Sequence, residues 1–316
     1  MPYPEKVEAA LFGLAVGDAL GVPVEFKNRD TLRKEPVTGL RGYGTHHQPP
    51  GTWSDDSSLA FCLADSLCTG YDLDNVAKQF IAWYQRGHWT PHSEVFDIGN
   101  TTREAIHRLM HGEWPTLAGG FDEEDNGNGS LMRILPLLFY VHSQPAEERY
   151  RLTREVSSMT HGHLRSVLAC FIYLEFARQL LAGHGKQQAY ENTIREVHAF
   201  LEEKPFNPNE IQKFTRILSG TLRGSTEAQI QSSGYVLHTL EASLWCLLTE
   251  DTYAATVLKA VNLGGDTDTT GAVAGGLAGL LYGTAGIPAG WLDGLVRRAD
   301  IGVLARRLAA ATAPAG

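Results

Sequence analysis

Cysteine is scarce in this chain, and its cysteines show no pattern of a cross-link or a metal site. The 316 residues include four cysteines, and no two of them form a Cys-x-x-Cys pair; they are Cys62, Cys68, Cys170 and Cys246. Each lies in an apolar segment with helical character, which indicates buried and reduced thiols. Such thiols are typical of a reducing compartment, so we expect a cytoplasmic protein.

Positive charge is also in deficit, with 27 Lys and Arg against 36 Asp and Glu and a formal net charge of -9. This balance argues against a phosphate backbone as the main partner, so we expect no nucleic-acid binding. The N-terminal residues lack the basic and apolar pattern of a secretion signal. The longest uncharged run, 271–290, is interrupted by glycines and by Pro288, so we expect no membrane segment.

Strand alternation and a βαβ rhythm are missing as well, and apolar residues recur at helical spacing instead. Val7, Leu11 and Leu14 form one helix face, and Asp18 ends that apolar stripe. Further helices are predicted over residues 31–34, 59–67, 73–85, 100–111, 134–142, 147–159, 165–182, 187–203, 208–220, 232–248, 252–261 and 272–283. The connections are short and no linker marks a boundary, so we predict an all-α fold with a single domain over residues 1–316.

Two predicted helices begin with paired aspartates next to hydroxyl groups. Ser54-Asp55-Asp56 leads into one helix, and Asp266-Thr267-Asp268-Thr269 leads into the small-residue helix 272–283. Positions 266 and 268 would diverge on a helix, whereas a glycine-rich loop can turn both inward, which favours a site carried by a loop. The alternative is ordinary N-capping by acids that complement the helix dipole, which explains one aspartate at each helix better than two.

If the two helix starts face each other, they bring four carboxylates and two hydroxyls together. Four like charges repel, so the group is stable only when it is protonated or neutralised by a metal ion. Hard oxygen ligands without His or Cys select Mg²⁺ or Mn²⁺ over zinc or copper. The ligands suffice for one ion or for a pair about 3.5–4 Å apart.

Four other positions carry polar groups at loops or helix ends. Glu25 follows the first helix, where an acidic residue is usually a surface charge. Asp97 precedes the helix predicted from Asn100, where it could simply cap that helix. The alternative is that both belong to a functional site. The glycines around Asn128 expose backbone N–H groups suited to an anion. His161 at a helix boundary is more often a C-terminal cap than a ligand.

Taken in order, the motifs resemble those of the ADP-ribosylglycohydrolase family over nearly the whole chain. Each motif is short, and their number and order make the resemblance specific. They are Gly17-Asp18-Ala19-Leu20-Gly21 with Glu25, Trp53-Ser54-Asp55-Asp56-Ser57, Asp97-Ile98-Gly99-Asn100-Thr101-Thr102, Gly127-Asn128-Gly129-Ser130-Leu131-Met132-Arg133, Thr160-His161, Ser233-Gly234-Tyr235-Val236 and Gly264-Gly265-Asp266-Thr267-Asp268-Thr269.

The resemblance implies a compact all-α fold with two Mg²⁺ or Mn²⁺ ions in a cleft. The implied metal ligands are Ser54, Asp55, Asp56, Asp266, Asp268 and Thr269. Family members commonly have threonine at the position of Ser54, and serine keeps the hydroxyl ligand. The implied reaction is hydrolysis of the C1″ glycosidic bond in ADP-ribosylated proteins or small molecules, with ADP-ribosylarginine favoured because most of the family acts on it.

The resemblance also assigns roles around the cleft. Glu25 and Asp97 are the candidates for proton transfer, and either could dominate. The loop Asn128-Gly129-Ser130 is implied to receive the diphosphate, with His161 and Tyr235 on the nucleoside side. The alternatives are another two-metal hydrolase of nucleotide sugars or phosphoesters, or a non-catalytic ADP-ribose-binding or crystallin-like member. No oligomeric state is predicted.

Overall fold

The computed structural model describes residues 1–313, which fold into sixteen α-helices joined by loops and short 3-10 turns. Within this range the only β-type pairing is two isolated bridges, so the all-α prediction is confirmed. The helices are α1 Tyr3–Gly21, α2 Arg29–Lys34, α3 Asp55–Leu67, α4 Leu73–Arg86, α5 Asn100–Met110, α6 Leu137–Val141, α7 Ala146–Ser158, α8 Leu164–Leu181, α9 Lys186–Glu202, α10 Pro208–Gln212, α11 Thr215–Leu218, α12 Val236–Thr249, α13 Tyr253–Asn262, α14 Thr267–Tyr282, α15 Ala289–Gly294 and α16 Arg298–Thr312.

Helices α3 and α14 begin four and five residues before the predicted starts at 59 and 272. Three other predicted helices begin late or break, and α15 and α16 were not predicted. The helix predicted over 134–142 begins only at Leu137, since proline disfavours helical backbone at the residue before it and Pro136 precedes α6. The segment 208–220 breaks into α10 and α11 at Phe214, whose side chain is fully buried. The helix predicted from 232 begins at Val236, because Ser232 is held in a loop by hydrogen bonds to the turn before α14.

Helices α1 and α14 pack antiparallel with their backbones in contact through glycines four residues apart. A Cβ atom added at Gly17 would lie 2.0 Å from the carbonyl oxygen of Gly271. One at Gly13 would lie 2.3 Å from the carbonyl oxygen of Gly275, and one at Gly21 would lie 2.3 Å from the Cα of Asp268. Only glycine permits this approach, and the contact continues to the N-terminus of α14.

Helix α1 is also the one helix in the described residues that is long and apolar enough to cross a membrane. The apolar span is Tyr3–Val24, and 94% of its 18-residue apolar window is buried against the rest of the protein. Its apolar composition is therefore explained by its central place among α14, α13 and α16. The apolar core runs as one cluster from Val7 in α1 to Ala309 in α16, and the organisation as a single domain stays a prediction.

The contact between α1 and α14 predicts a large effect of one methyl group. Gly17→Ala should lower the free energy of unfolding by about 2 kcal/mol or more, because the helices must separate to admit the Cβ. Urea unfolding followed by circular dichroism measures this change. The matched control is Gly290→Ala in α15, where an added Cβ meets no atom within 4 Å. Equal stability of the two variants would contradict the packing argument.

Candidate metal-binding cleft

Both pairs of aspartates lie at helix N-termini. Ser54 is the N-cap of α3, and its hydroxyl oxygen accepts a hydrogen bond from the backbone N–H of Asp56 at 3.2 Å. Asp266 is the N-cap position of α14, whereas Asp268 belongs to the first turn of that helix. Asp266 therefore lies at the loop-to-helix junction, as expected for a site carried by a loop, whereas Asp268 lies on the helix itself.

The two helix starts face each other. The hydroxyl of Thr269 donates to the Oδ1 of Asp56 at 3.2 Å, which joins α14 to α3. One carboxylate oxygen each from Asp18, Asp56 and Asp268 lie within 4.8 Å of one another. A second group, which shares Asp268, consists of Glu25, His46, Asp97 and Asp268, and its ligand atoms also lie within 4.8 Å of one another.

The donor atoms of this cluster fit a bound cation. The Oδ2 of Asp56, the Oδ1 of Asp266 and the Oδ2 of Asp268 are buried and have no hydrogen-bond partner among the described residues. A buried carboxylate oxygen without a partner is unfavourable, and the charges of neighbouring carboxylates, Asp266 among them, add to this cost at Asp56 and Asp268. The possible ligand atoms of the two groups are carboxylate oxygens, except for one histidine nitrogen, and such oxygens suit a hard divalent ion such as Mg²⁺ or Mn²⁺.

Five buried carboxyl groups at this cluster also hold their protons strongly in the absence of a cation. Burial, followed by the charges of neighbouring carboxylates, raises the pKa of Asp55, Asp56 and Asp268 well above the usual range. Burial raises the pKa of Asp18 to about 7 and that of Glu25 to about 8. A divalent cation at this cluster would compete with those protons.

Sequence reasoning missed two polar residues that belong to these groups of close ligand atoms. Asp18 accepts hydrogen bonds from the backbone N–H of Ser54 at 2.9 Å and from the N–H and hydroxyl of Ser57 at 3.0 and 2.5 Å. Both of its oxygens thus hold the first turn of α3 in place. His46 hydrogen-bonds Glu25 through Nε2, which lies 3.9 Å from the Oδ1 of Asp97. The Gly17-Asp18 motif could have indicated the first, whereas His46 lies in an irregular stretch without a signal.

The cluster opens into a cleft of about 300 Å³. Asp97 enters it from a loop with left-handed backbone, at φ 55°, a conformation that residues other than glycine adopt mainly where surrounding contacts enforce it. A larger cavity of about 520 Å³ between Phe121, Tyr150 and Phe206 lacks the carboxylate cluster. The residues singled out from the sequence that line the cleft are Glu25, Asp55, Asp97, Asn128, Gly129, His161, Asp266 and Thr269.

The residues expected to bind substrate are divided between the cleft and its surroundings. The side-chain amide of Asn128 donates to the Oδ2 of Asp266 at 2.7 Å, so it joins the acid cluster directly. The hydroxyl of Ser130 faces the core, where its oxygen lies 2.9 Å from the hydroxyl oxygen of Ser157. Tyr235 lies outside the cleft, in a neighbouring depression, with its ring 5.7 Å from the guanidinium of Arg165.

The raised pKa of Glu25 predicts how stability changes with pH. A carboxyl group whose pKa is about 8 when folded and near 4.5 when unfolded stabilises the protein at low pH, and this contribution is lost as the pH rises through 8. In the presence of a chelator, the free energy of unfolding of the wild type should therefore fall by roughly 2 kcal/mol between pH 6 and pH 8, relative to that of Glu25→Gln. Urea unfolding at both pH values measures it, with the exposed Glu104→Gln as matched control. Parallel pH curves for wild type and Glu25→Gln would contradict the burial argument.

The chain is similar to known proteins along nearly its whole length. The family model of ADP-ribosylglycohydrolase matches residues 1–316. ADP-ribosylarginine hydrolase Tri1 of Serratia proteamaculans is 33% identical over 311 residues, which cover 96% of this chain and 79% of that protein. ADP-ribosyl-[dinitrogen reductase] glycohydrolase of Rhodospirillum rubrum is 33% identical over 303 residues, covering 92% of this chain and 90% of that protein.

A solved structure, an ADP-ribosylglycohydrolase-related protein complex, superposes with a TM-score of 0.81 at 33% identity. The match covers 98% of this chain and 99% of that one. The family model, the two relatives and the solved structure thus agree along nearly the full length of the chain. The protein belongs to the ADP-ribosylglycohydrolase family.

Proposed function

We propose that this protein is a metal-dependent hydrolase that cleaves the C1″ glycosidic bond of ADP-ribosylated substrates and releases ADP-ribose. The observation that carries the metal dependence is the group of unpartnered, buried oxygens of Asp56, Asp266 and Asp268 beside the cleft. Family membership supports the class of enzyme. The relative named as an ADP-ribosylarginine hydrolase supports arginine as the linkage.

Two divalent ions, Mg²⁺ or Mn²⁺, would be held by residues from the N-termini of α3 and α14. When bound, such ions neutralise the carboxylates and polarise coordinated oxygen atoms. Asp18 keeps the first turn of α3 in position and Asn128 orients Asp266, so these residues would support the ligands. The proposed ligands are Ser54, Asp55, Asp56, Asp266, Asp268 and Thr269.

In this proposal, Glu25 and Asp97 would move a proton at the glycosidic bond. Both line the cleft, and both are close to His46 Nε2. Because burial raises the pKa of Glu25 to about 8, its carboxyl can carry a proton at neutral pH, which suits a general acid that protonates the leaving group. Asp97 would then accept a proton from the attacking water, as the second carboxyl in a glycosidase does.

Neutral donors would bind the diphosphate and the nucleoside. Among residues 1–313, no protein atom accepts a hydrogen bond from the N–H groups of Gly129 or Ser130. Free N–H groups in a glycine-rich turn are suited to phosphate oxygens. His161 lies beside this turn, and Tyr235 would extend the binding surface from the neighbouring depression.

The proposed metal dependence predicts the behaviour of Asp268. The wild type should release ADP-ribose from an ADP-ribosylarginine substrate with Mg²⁺ or Mn²⁺, and excess chelator should abolish this activity. Asp268→Ala should lower the rate about a hundredfold or more, because Asp268 belongs to both groups of close ligand atoms described above. Chromatographic quantification of released ADP-ribose measures the rates, with the exposed Asp74→Ala as matched control.

The same assay separates the alternatives. Arginine-, serine- and acid-linked substrates should be compared side by side, and arginine should be cleaved fastest. Undiminished turnover in chelator would exclude a metal-dependent mechanism. AMP or ribose 5-phosphate formed from free ADP-ribose would point to a phosphoester hydrolase. Binding of ADP-ribose without cleavage of any linkage would point to a non-catalytic member of the family.

The proton-transfer proposal predicts a difference between two amide substitutions. Glu25→Gln should lower kcat about a hundredfold or more, with KM little changed, and should remove the alkaline limb of the pH profile. Asp97→Asn should lower kcat while keeping that limb, because Glu25 remains able to donate a proton. Steady-state kinetics over a pH series measures both variants. An alkaline limb that survives in Glu25→Gln and is lost in Asp97→Asn would reverse the roles.

A further inference from the structure

Behind the cleft, a fully buried arginine is linked to His161 through one hydroxyl group. The guanidinium of Arg133 stacks on the ring of Phe80, at 4.7 Å from its centroid. Its Nη2 donates to the Oγ1 of Thr160 at 2.7 Å, and both Nη atoms donate to the carbonyl oxygen of Val156 at 3.2–3.3 Å. Within the described part of the chain, the hydrogen-bond acceptors of this arginine are a carbonyl and a hydroxyl oxygen, and no carboxylate pairs with it.

Among the described residues, the hydroxyl of Thr160 has one hydrogen-bond acceptor within reach, which is His161. Its oxygen accepts from Arg133, since a guanidinium has donors and no acceptor. The Nδ1 of His161 lies 2.8 Å from the same oxygen, and no other acceptor among residues 1–313 is in range of it. Thr160 is fully buried, and a buried hydroxyl proton without a partner is unfavourable. Thr160 therefore donates to Nδ1.

A histidine that accepts at Nδ1 carries its proton at Nε2. Burial, and then the charge of Arg133, lowers the pKa of His161 to about 3, so the ring is neutral at ordinary pH. The backbone of His161 is also fixed, since its N–H donates to the carbonyl oxygen of Ser157 and its carbonyl oxygen accepts from the hydroxyl of Ser157, both at 2.8 Å. The contacts with Thr160 and Ser157, on the side away from the cleft, thus determine the ring orientation and the tautomer of His161.

The Nε2 edge of the ring is kept open by glycines. A Cβ atom at Gly129 would lie 2.7 Å from Cε1 of His161, and one at Gly127 would lie 3.4 Å from Nε2. Both glycines and His161 line the cleft, and no protein atom in the described residues accepts from Nε2. The free Nε2–H therefore borders the space next to the N–H groups of Gly129 and Ser130.

We propose that Arg133 and Thr160 are positioning residues that lock His161 as the Nε2–H tautomer, so that it donates one neutral hydrogen bond to an acceptor oxygen of the ADP-ribosyl group. The identity of the ligand rests on the proposed function, whereas the tautomer does not. A donor without charge recognises an oxygen acceptor and adds no cation that could pair with the nearby acids. Arg133 supplies the orientation while its own charge stays outside the cleft.

Nitrogen NMR tests the tautomer directly. Long-range ¹H–¹⁵N correlation spectra of the full chain with labelled histidine, assigned with the help of His161→Asn, should show a protonated Nε2 and an unprotonated Nδ1. Thr160→Ser keeps the hydroxyl and should keep this pattern, whereas Thr160→Val should give a mixture of tautomers. A wild type protonated at Nδ1, or a Thr160→Val spectrum identical to that of the wild type, would overturn the proposal.

Binding tests the donated hydrogen bond. By calorimetry, Thr160→Val should bind ADP-ribose about tenfold more weakly than the wild type, and Thr160→Ser should bind it almost as tightly. In the hydrolysis assay the same substitution should raise KM more than it lowers kcat. Equal affinity of the valine and serine variants would overturn the binding role. Failure of the enzyme to cleave any ADP-ribosyl linkage, with the tautomer as expected, would instead reject the proposed function alone.

Discussion

The backbone contact between α1 and α14 is the constraint on which the cleft depends. Glycines on both helices remove the side chains that would otherwise keep the axes apart, and the contact extends to Gly21 against Asp268. Asp18 lies on the same helix, between Gly17 and Gly21, so the close approach brings it to the carboxylates of α14 and α3. A wider separation would part these acids and leave the first turn of α3 without its acceptor at Asp18.

The acid cluster opposes the stability of the fold that creates it. Burial and mutual repulsion raise the pKa values of its carboxyl groups, so the metal-free protein is destabilised as they ionise. The N-termini of α3 and α14 offset part of this cost, because their partial positive charge favours nearby carboxylates. Helix ends alone leave three buried oxygens without partners, which is why a cation explains the arrangement better than capping does.

The sequence predicted the features that depend on local chemistry. Periodic apolar residues indicated most of the helices, and paired aspartates at helix starts indicated where a metal site could form. The sequence did not predict contacts between segments that are far apart in the chain. His46 reaches Glu25 from an irregular stretch, and the C-terminal helix α16 was not singled out. Ser130 and Tyr235 belong to recognisable motifs, yet only the tertiary structure shows that the Ser130 hydroxyl faces the core and that Tyr235 lies outside the cleft.

The charge distribution explains why a buried arginine would act on the cleft indirectly. No lysine or arginine of the described residues lines the cleft, although the proposed ligand carries a diphosphate. A cationic side chain there would pair with Asp55, Asp97 or Asp266 and compete with a divalent ion for the same oxygens. Neutral donors avoid this competition: the N–H groups near Gly129 and the Nε2–H of His161 can bind phosphate or ribose oxygens. With the proposed tautomer of His161, one surface would bind cations through carboxylates and the adjacent surface would bind an anion without added positive charge.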